Sequence, residues 1–400
     1  MYDLLIIGGG AAGFFTAINA KEKNKNLKIA IIERGKEFLT KVKISGGGRC
    51  NVTNSIFDPK ALVKNYPRGE KQLLGPFHSF GCEDTMNWFK KRGVNLKIEA
   101  DGRVFPVSDN SQTIIDCFFK DCEKYNIDLM TNTAVKSFVF KDNHWLVETS
   151  NKNFEAKNLV LTTGSNPKIW EMVSGLNHKI IAPVPSLFTF NIKDEQRHAL
   201  MGIATHGQIK ILDTKLQSDG PILITHWGIS GPAVLKLSAW GARLLHEKSY
   251  QFKIQVNWTA FSSLEVMDIL LKNKSQQAKK QIGNTPLFDF PKRLWAYFLD
   301  VSAINPQDQW ANLPKQKMQA LHQNIAQMIL SVNGKSTFKE EFVTAGGVDL
   351  NEINFKKMSS KIVPQLYFAG EIINIDAITG GFNFQNAWTG GWLISEDFKG

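Results

Sequence analysis

The chain has 400 residues, of which 43% are hydrophobic and 21% charged, and its formal net charge is +11. These values are typical of a globular protein with more than one domain and exclude a disordered or fibrous chain. No apolar run is long enough to cross a bilayer and no secretory signal is visible, so no membrane partner is expected. Four cysteines without a short-spaced framework favour a reducing, cytoplasmic location without structural disulfides.

The positive charge raises the hypothesis of a polyanionic partner, because basic surfaces bind phosphate backbones. The lysines are scattered and asparagine is also frequent, a pattern equally typical of Lys- and Asn-rich proteomes. Charge alone therefore leaves nucleic-acid binding open, and the sequence predicts no oligomeric state.

A glycine fingerprint near the start of the chain predicts a dinucleotide site. Residues 3–8, DLLIIG, are typical of a buried parallel strand, and a predicted helix follows to about Lys23. Between them, Gly8 permits a tight turn, Gly10 lets the backbone approach a pyrophosphate, and Gly13 lets the helix pack on the strand. The positive helix N-terminus then faces the phosphates.

The next strand supports the same interpretation. LKIAIIE ends at Glu33, where a carboxylate accepts hydrogen bonds from the ribose hydroxyls. An acid there disfavours a 2′-phosphate, although Arg34 is adjacent. The pattern to this point indicates an adenine dinucleotide without choosing between FAD and NAD.

Two later segments favour FAD. LVLTTGSNP (159–167) predicts a strand that returns to the same sheet without a second G-x-G-x-x-G for a separate NAD domain. Residues 365–391 predict a strand ending at Gly370 and Glu371, followed by a glycine pair and a helix whose positive N-terminus suits the flavin N1–C2=O edge. A second glycine-rich loop, KISGGGRCN (43–51), is expected to wrap the phosphate linker and the flavin end.

With GGGAAG, KISGGGRCNVTN, THWGISGPAVLKLS, TAGGVDLNEI and LYFAGEIINIDAITGGFNFQNAW in this order, the chain resembles a bacterial flavoprotein family labelled aminoacetone oxidase-type or NAD(P)/FAD-dependent oxidoreductase. The resemblance covers nearly the whole chain. It departs at Phe382, where the family usually has Tyr, and at Phe384, where it usually has Leu. These patterns and the resemblance together predict FAD contacts at Gly8, Gly10, Ala11, Ala12, Gly13, Glu33, Arg34, Lys43, Ser45, Gly46, Gly47, Gly48, Arg49, Asn51, Val135, Thr163, Gly164, Gly370, Glu371, Gly381, Phe382 and Asn383.

The resemblance implies an α/β fold in which a Rossmann-like FAD-binding domain is made from both chain ends and interrupted by an insertion. We expect the FAD-binding domain at 1–185 and 343–400, a β-rich, barrel-like domain at 186–260 and 331–342, and a small helical domain at 261–330. Strand patterns such as HGQIKIL and YQFKIQVNW support the insertion independently. Helical periodicity is predicted at Ser263–Lys274, Pro291–Leu299 and Pro314–Leu330.

The cysteines and histidines supply the candidate catalytic groups. Cys117 and Cys122 have the spacing of a redox pair, but on a predicted helix they point apart and are expected to pack. Cys50 has Ser55 rather than cysteine five residues on, so it is a candidate only as a single thiol, with a pKa lowered by backbone amides and by its neighbour Arg49. The other candidate acids are His206 and His226, and structural roles remain open for all three. No metal site is predicted.

These features lead to one functional hypothesis and two alternatives. The first is an FAD-dependent oxidoreductase in which hydride passes through flavin N5, with NAD(P)H as a candidate transient donor. Members of the resembled family are linked to C=C reduction in steroid-like molecules and in ribosomal RNA uridine, and the basic charge favours RNA. The alternatives are an oxidase or reductase of a small soluble metabolite, and an RNA-binding or assembly factor with structural FAD.

Overall fold

The computed structural model describes residues 1–193, 199–336 and 343–399. In chain order the strands are β1 Tyr2–Ile7, β2 Ile29–Ile32, β3 Thr53–Asn54, β4 Leu96–Ile98, β5 Arg103–Pro106, β6 Asp128–Met130, β7 Val135–Lys141, β8 His144–Thr149, β9 Asn153–Leu161, β10 Ile180–Ser186, β11 Thr189–Asn191, β12 Ala204–Ile211, β13 Gln217–Thr225, β14 Gly228–Ser230, β15 Gln251–Asn257, β16 Met328–Asn333, β17 Lys335–Ser336, β18 Val343–Val348, β19 Ile353–Asn354, β20 Ser359–Ser360 and β21 Leu366–Phe368. The helices are α1 Ala11–Lys23, α2 Thr40–Gly48, α3 Pro59–Leu62, α4 Glu70–Ser79, α5 Cys82–Lys91, α6 Gln112–Lys124, α7 Pro167–Gly175, α8 Pro232–Trp240, α9 Ala242–Glu247, α10 Ser263–Gln276, α11 Lys292–Val301, α12 Lys315–Ala326 and α13 Phe382–Glu396.

The chain divides into two compact units. The first contains residues 1–184 together with the C-terminal segment from 339 onwards, and the second contains residues 185–338. The first unit is therefore built from both ends of the chain. The further division of the insertion into a β-rich and a helical domain stays a prediction, because helices α10 to α12 share one hydrophobic core with the strands of the second unit.

A parallel sheet forms the centre of the first unit, with the order β21-β9-β1-β2-β6. Leu5 of β1 lies between Ala30 of β2 and Leu159 of β9. The strands β1 and β2 read as near-continuous apolar runs because helices cover both faces of such a sheet. Antiparallel strands extend it: β7 and β8 beside β9, and β19 and β20 beside β21.

Helices α1 and α13 pack closely in this unit, and glycine makes the close approach possible. A Cβ atom at Gly391 would lie 3.0 Å from Thr16 Oγ1 and 3.1 Å from Ala12 O. Both helices begin next to glycine-rich turns, Gly10 before α1 and Gly381 before α13. This packing fixes the positions of the two helix N-termini relative to each other.

The second unit contains an antiparallel sheet with the order β16-β15-β12-β13-β14-β11-β17. The predicted helix Pro314–Leu330 is wrong at its C-terminal end, because α12 ends at Ala326 and strand β16 begins at Met328. From Met328 onwards buried and exposed side chains alternate, and this period of two pairs the segment with β15. In the described part of the chain no helix is long and apolar enough to span a membrane.

Candidate cofactor site

The fingerprint glycines divide into two that pack against backbone and one that faces open space. A Cβ at Gly8, where φ is +109°, would lie 2.5 Å from Thr162 O, and a Cβ at Gly13 would lie 2.3 Å from Gly8 O. These positions need glycine for the fold itself. At Gly10 a Cβ would meet no protein atom within 4 Å, and Gly10 gives helix α1 no side-chain cap. The turn therefore leaves room for a ligand at an uncapped helix N-terminus.

Glu33 follows strand β2 and holds the turn beside this helix. Its Oε2 accepts a hydrogen bond from Gly9 N at 2.9 Å, and its Oε1 accepts one from Gly35 N at 2.8 Å. The carboxylate is half-buried, whereas the adjacent Arg34 is exposed. A carboxylate oxygen can accept more than one hydrogen bond, so these contacts leave acceptor capacity for ribose hydroxyls.

The second glycine loop has a backbone that only glycine adopts readily. Gly46, Gly47 and Gly48 have φ values of +58°, +68° and +83°, which interrupt the helical conformation at the end of α2. A Cβ at Gly46 would lie 2.9 Å from the Phe105 ring, but at Gly47 and Gly48 no protein atom lies within 4 Å. The loop is thus braced on one side and open on the other. Just before it, Ser45 Oγ donates a hydrogen bond to Val42 O at 3.0 Å.

Arg49, predicted to contact the cofactor, is engaged within the protein. Its guanidinium lies 3.9 Å from the centre of the Phe105 ring, and Nη1 lies 2.6 Å from Glu99 Oε1 and 3.3 Å from Asp109 Oδ1. The hydrogen bond to Glu99 raises the pKa of Arg49 above its ordinary value. Arg49 therefore braces the glycine loop from its protein side.

Two other polar side chains expected at the cofactor also have protein partners. The Asn51 amide accepts a hydrogen bond from Gly381 N at 2.9 Å and donates one to Thr53 O at 2.9 Å. Lys43 Nζ lies 3.0 Å from the exposed Glu37 carboxylate. Asn51 thereby joins the second glycine loop to the start of helix α13.

A second group of residues converges on Glu371, after strand β21. Glu371 forms an ion pair with Lys41, and its Oε1 accepts a hydrogen bond from Thr344 N at 3.0 Å. A Cβ at Gly164 would lie 3.6 Å from Glu371 Oε2. The buried hydroxyl oxygens of Thr163 and Thr344 have no hydrogen-bond partner among the described residues. A buried hydroxyl normally finds a partner, and a polar ligand bound beside Glu371 would supply one to these two.

The turn before α13 is held in place by contacts with several segments of the first unit. A Cβ at Gly381, where φ is +88°, would lie 2.3 Å from Thr53 O, and Tyr66 Oη donates a hydrogen bond to Phe382 O at 2.6 Å. Asn383 exchanges hydrogen bonds with the backbone of Ala377. Phe382 is buried in the hydrophobic core. Asn51 engages only the N–H of the N-cap residue Gly381, and no side chain caps the N–H groups that follow it, so these are available to an acceptor.

Buried hydrogen bonds then connect α13 to the segment after Cys50. Gln385 Oε1 accepts from Thr53 Oγ1 at 2.6 Å and from Thr85 Oγ1 at 2.9 Å. Trp388 Nε1 donates to Val52 O at 2.8 Å. The two glycine-rich segments are therefore held together by buried hydrogen bonds.

Arg68 and Asp376 form an ion pair that the sequence analysis did not identify. Asp376 is completely buried, and both of its oxygens bind the Arg68 guanidinium. The same loop is held by Ile378 N, which donates to Asn65 O at 3.0 Å, and by Gly69, where a Cβ would lie 2.6 Å from Ile375. The only sequence signal was an acid in the apolar stretch IINIDAI.

The lowered pKa considered for Cys50 is wrong, and its role as a catalytic thiol stays a hypothesis. Cys50 has no exposed surface, and burial raises the pKa of its thiol to about 12, although a hydrogen bond with Ser45 acts in the opposite direction. Its φ of +61° is uncommon for a residue other than glycine. Cys117 and Cys122 lie on helix α6 as predicted, and all four cysteines are free and buried.

The remaining predicted residues lie in several places. His206 on β12 and His226 after β13 are exposed residues of the second unit, and their role as acids stays a prediction. Val135 begins the antiparallel strand β7 and packs on the core of the first unit. Ala11 and Ala12 form the first turn of α1, and a Cβ at Gly370 would lie 3.3 Å from Ala12 Cβ.

The chemical groups at this site are of the types that bind FAD. The uncapped start of α1 suits a pyrophosphate, and the glycine backbones at 10, 47 and 48 leave space that a Cβ would fill. The unpaired Thr163 and Thr344 hydroxyls offer hydrogen bonds beside Glu371, and the uncapped start of α13 suits an electron-rich carbonyl.

Comparison with known proteins agrees with this fit. The family model described as HI0933-like protein Rossmann domain matches residues 2–397. A ribosomal RNA dihydrouridine synthase of Escherichia coli is 27% identical over 407 residues, which cover 99% of this chain and 98% of that protein. A 3-dehydro-bile acid delta(4,6)-reductase of Clostridium scindens is 24% identical over 402 residues, with 97% of each covered.

A solved structure shares the fold. The 3-ketosteroid delta1-dehydrogenase of Sterolibacterium denitrificans superposes with a TM-score of 0.52 at 10% identity, covering 100% of this chain and 99% of its own. Together with the family match over almost the whole chain, this establishes a Rossmann-type FAD domain with an additional β-rich part. The chain belongs to the HI0933-like Rossmann-domain family of FAD-dependent oxidoreductases.

Proposed function

We propose that this protein uses NAD(P)H to reduce a polarised C=C bond, and that its substrate is a uridine of large-subunit ribosomal RNA. The observation that carries the proposal is its full-length similarity to a ribosomal RNA dihydrouridine synthase. The bile acid delta(4,6)-reductase, also similar over its full length, supports the same class of bond. The cytoplasm is the compartment that this substrate and the free thiols suit.

The distribution of charge supports RNA over a small metabolite. Residues 185–338 contain seventeen Lys and Arg against ten Asp and Glu, a net charge of +7 out of the +11 of the whole chain. The second unit thus holds most of the excess positive charge in less than half of the residues. Such an asymmetry attracts a polyanion more strongly than a small molecule with a single carboxylate, such as a bile acid.

The proposed reaction adds two hydrogens across the C5=C6 bond of uracil. A hydride goes to C6 and a proton to C5, while NAD(P)H becomes NAD(P)⁺. FAD, when bound, supplies the hydride transfer between nicotinamide and substrate. The chain contributes the two helix N-termini and Glu33 and Glu371, which hold and orient the cofactor, and His226 or His206 as the proton donor. The complete burial of Cys50 argues against the same role for its thiol.

Mass spectrometry of ribosomal RNA tests the proposed substrate. Disruption of the gene in its host should remove a dihydrouridine from large-subunit RNA, and the intact gene should restore it. Complementation with a variant that does not bind FAD should fail to restore the modified nucleoside. An unchanged nucleoside profile in the disruption strain would exclude this substrate and leave the small-molecule reductase, which the bile acid relative represents.

A further inference from the structure

Helices α10 and α12 of the second unit pack in opposite directions. At one end, Ser263 O lies 2.8 Å from His322 Nε2. At the other end, Lys274 Nζ donates a hydrogen bond to Leu313 O at 2.5 Å, just before α12 begins. The last turn of α10 and the first turn of α12 therefore lie side by side.

The chain that follows α10 stays at this same end. Ala311 N donates to Ala278 O at 2.9 Å, and Trp310 N donates to Lys280 O at 3.1 Å. The two segments together bring six lysines to one end of the helix pair. We call them the lysine face: Lys272, Lys274, Lys279, Lys280, Lys315 and Lys317.

The lysine face lacks neutralising carboxylates. Residues 269–288 and 309–338 contain no Asp or Glu. The nearest acids along the chain are Asp268, Asp289 and Asp308. In the described residues no lysine of the face forms an ion pair with any of them or with another carboxylate. In the first unit, by contrast, Lys23, Lys41 and Lys157 are paired with carboxylates.

The start of α12 is an unfavourable place for these charges in the isolated protein. Lys315 and Lys317 lie in the first turn of α12, where the helix dipole favours acids, and that turn has neither an acid nor a side-chain cap. Lys272, Lys279, Lys280 and Lys315 are exposed, so their charges remain available to a partner. A polyanion that binds here removes both the mutual repulsion and the conflict with the dipole.

We propose that the lysine face is the surface on which the RNA phosphate backbone docks. The inference rests on the proposed function and assigns RNA binding to this part of the second unit. Lysine ammonium groups act as point charges without the bidentate geometry that reads bases, so the face supplies affinity rather than choice of uridine. Its loss should raise the KM for RNA and leave NAD(P)H oxidation at the flavin unchanged.

The test compares two quadruple variants of the full-length FAD-bound protein. One is Lys272→Gln, Lys279→Gln, Lys280→Gln and Lys315→Gln. The matched control, which removes the same charge from exposed and unpaired lysines of the first unit, is Lys90→Gln, Lys91→Gln, Lys120→Gln and Lys141→Gln. Binding to a transcribed fragment of large-subunit RNA is followed by fluorescence anisotropy over a series of salt concentrations, with thermal unfolding as the check on folding.

We expect the lysine-face variant to bind RNA on the order of tenfold to a hundredfold more weakly, with a log–log salt slope reduced by up to about four. Its anaerobic reduction by NAD(P)H should match wild type, and the control variant should bind RNA as wild type does. Unchanged binding by the lysine-face variant, or an equal loss in the control, overturns the docking surface alone. A wild-type protein that does not bind the fragment at low salt contradicts the proposed RNA substrate as well.

Discussion

Arg68 binds both carboxylate oxygens of Asp376, which has no exposed surface. The pair joins the segment before α4 to the loop that leads into α13. Since helix α13 begins four residues after Ile378 and has no side-chain cap, the ion pair positions the loop that precedes an open helix N-terminus. We infer that the buried pair serves to fix this loop at the cofactor site.

Replacing Arg68 with Met should destabilise the protein strongly. The change removes the Arg68 guanidinium from the buried Asp376 carboxylate, and breaking a buried ion pair typically costs about 3–5 kcal/mol of unfolding free energy. Lys136→Met is the matched control, because Lys136 and its partner Glu148 are both more than half exposed and separated by 3.9 Å. That pair should be worth about 0–1 kcal/mol. Urea unfolding measures the loss of unfolding free energy in both variants. Equal losses would show that the buried Arg68–Asp376 pair stabilises the protein no more than the exposed pair.

Gly10→Asp should separate cofactor binding from folding. Asp is a good N-cap and its charge suits a helix N-terminus, so the cofactor-free variant should unfold at the same urea concentration as wild type or a higher one. The same carboxylate repels a pyrophosphate, so FAD should be lost, as absorbance of the purified protein will show. Gly13→Ala gives the opposite pattern, because its Cβ meets Gly8 O at 2.3 Å and lowers stability directly. Retention of FAD by Gly10→Asp would place the pyrophosphate elsewhere.

The cysteines should be unreactive in the folded protein. All four are buried, and burial raises the pKa of Cys50 and that of Cys117 to about 12. At pH 8 a thiol reagent such as DTNB should therefore label them slowly in the native state and rapidly in denaturant. Cys50→Ala should turn over at close to the wild-type rate. Rapid labelling of Cys50 in the native state would support a catalytic role for its thiol. So would loss of activity in a Cys50→Ala protein that still binds FAD.

His178 should make the protein less stable in mild acid. Burial lowers the pKa of His178 below 6.5, although its neighbour Glu352, 2.9 Å from Nδ1, favours the charged form. Below pH 6.5 the unfolded chain takes up a proton that the folded chain takes up only at lower pH, so stability present above this pH is lost as pH falls. His178→Gln should flatten this part of the stability profile measured by urea unfolding. His78→Gln, at an exposed position, is the control. If the slope of unfolding free energy against pH is the same in His178→Gln as in wild type, His178 does not cause the loss of stability in acid.

Local patterns predicted much of the fold, and long-range pairings accounted for the differences. The positions of Gly8, Gly10 and Gly13 follow from a spacing that one strand–turn–helix unit imposes. Arg68 and Asp376 are 308 residues apart, and no sequence motif connects the two positions. A sequence pattern gives a residue's type and approximate place, but only tertiary structure decides which of its atoms are already engaged.

Arg49 and Cys50 illustrate this limit. Arg49 was expected to contact the cofactor, yet Glu99 and Asp109, 50 and 60 residues away along the chain, engage its guanidinium. The proximity of Arg49 and backbone amides favours a lowered pKa for the Cys50 thiol, whereas burial raises it. Sequence proximity shows which charges are nearby but not how much water remains around a group.

The most direct test of the proposed reaction is a single turnover with purified protein. The FAD-bound protein is reduced with NADPH without oxygen and mixed with ribosomal RNA from a strain in which the gene is disrupted. We expect the oxidised flavin absorbance to return as dihydrouridine forms in the large-subunit RNA, with one modified nucleoside for each flavin reoxidised. Protein that NADPH bleaches but that stays reduced with this RNA, and leaves its uridines unchanged, would contradict the proposed function.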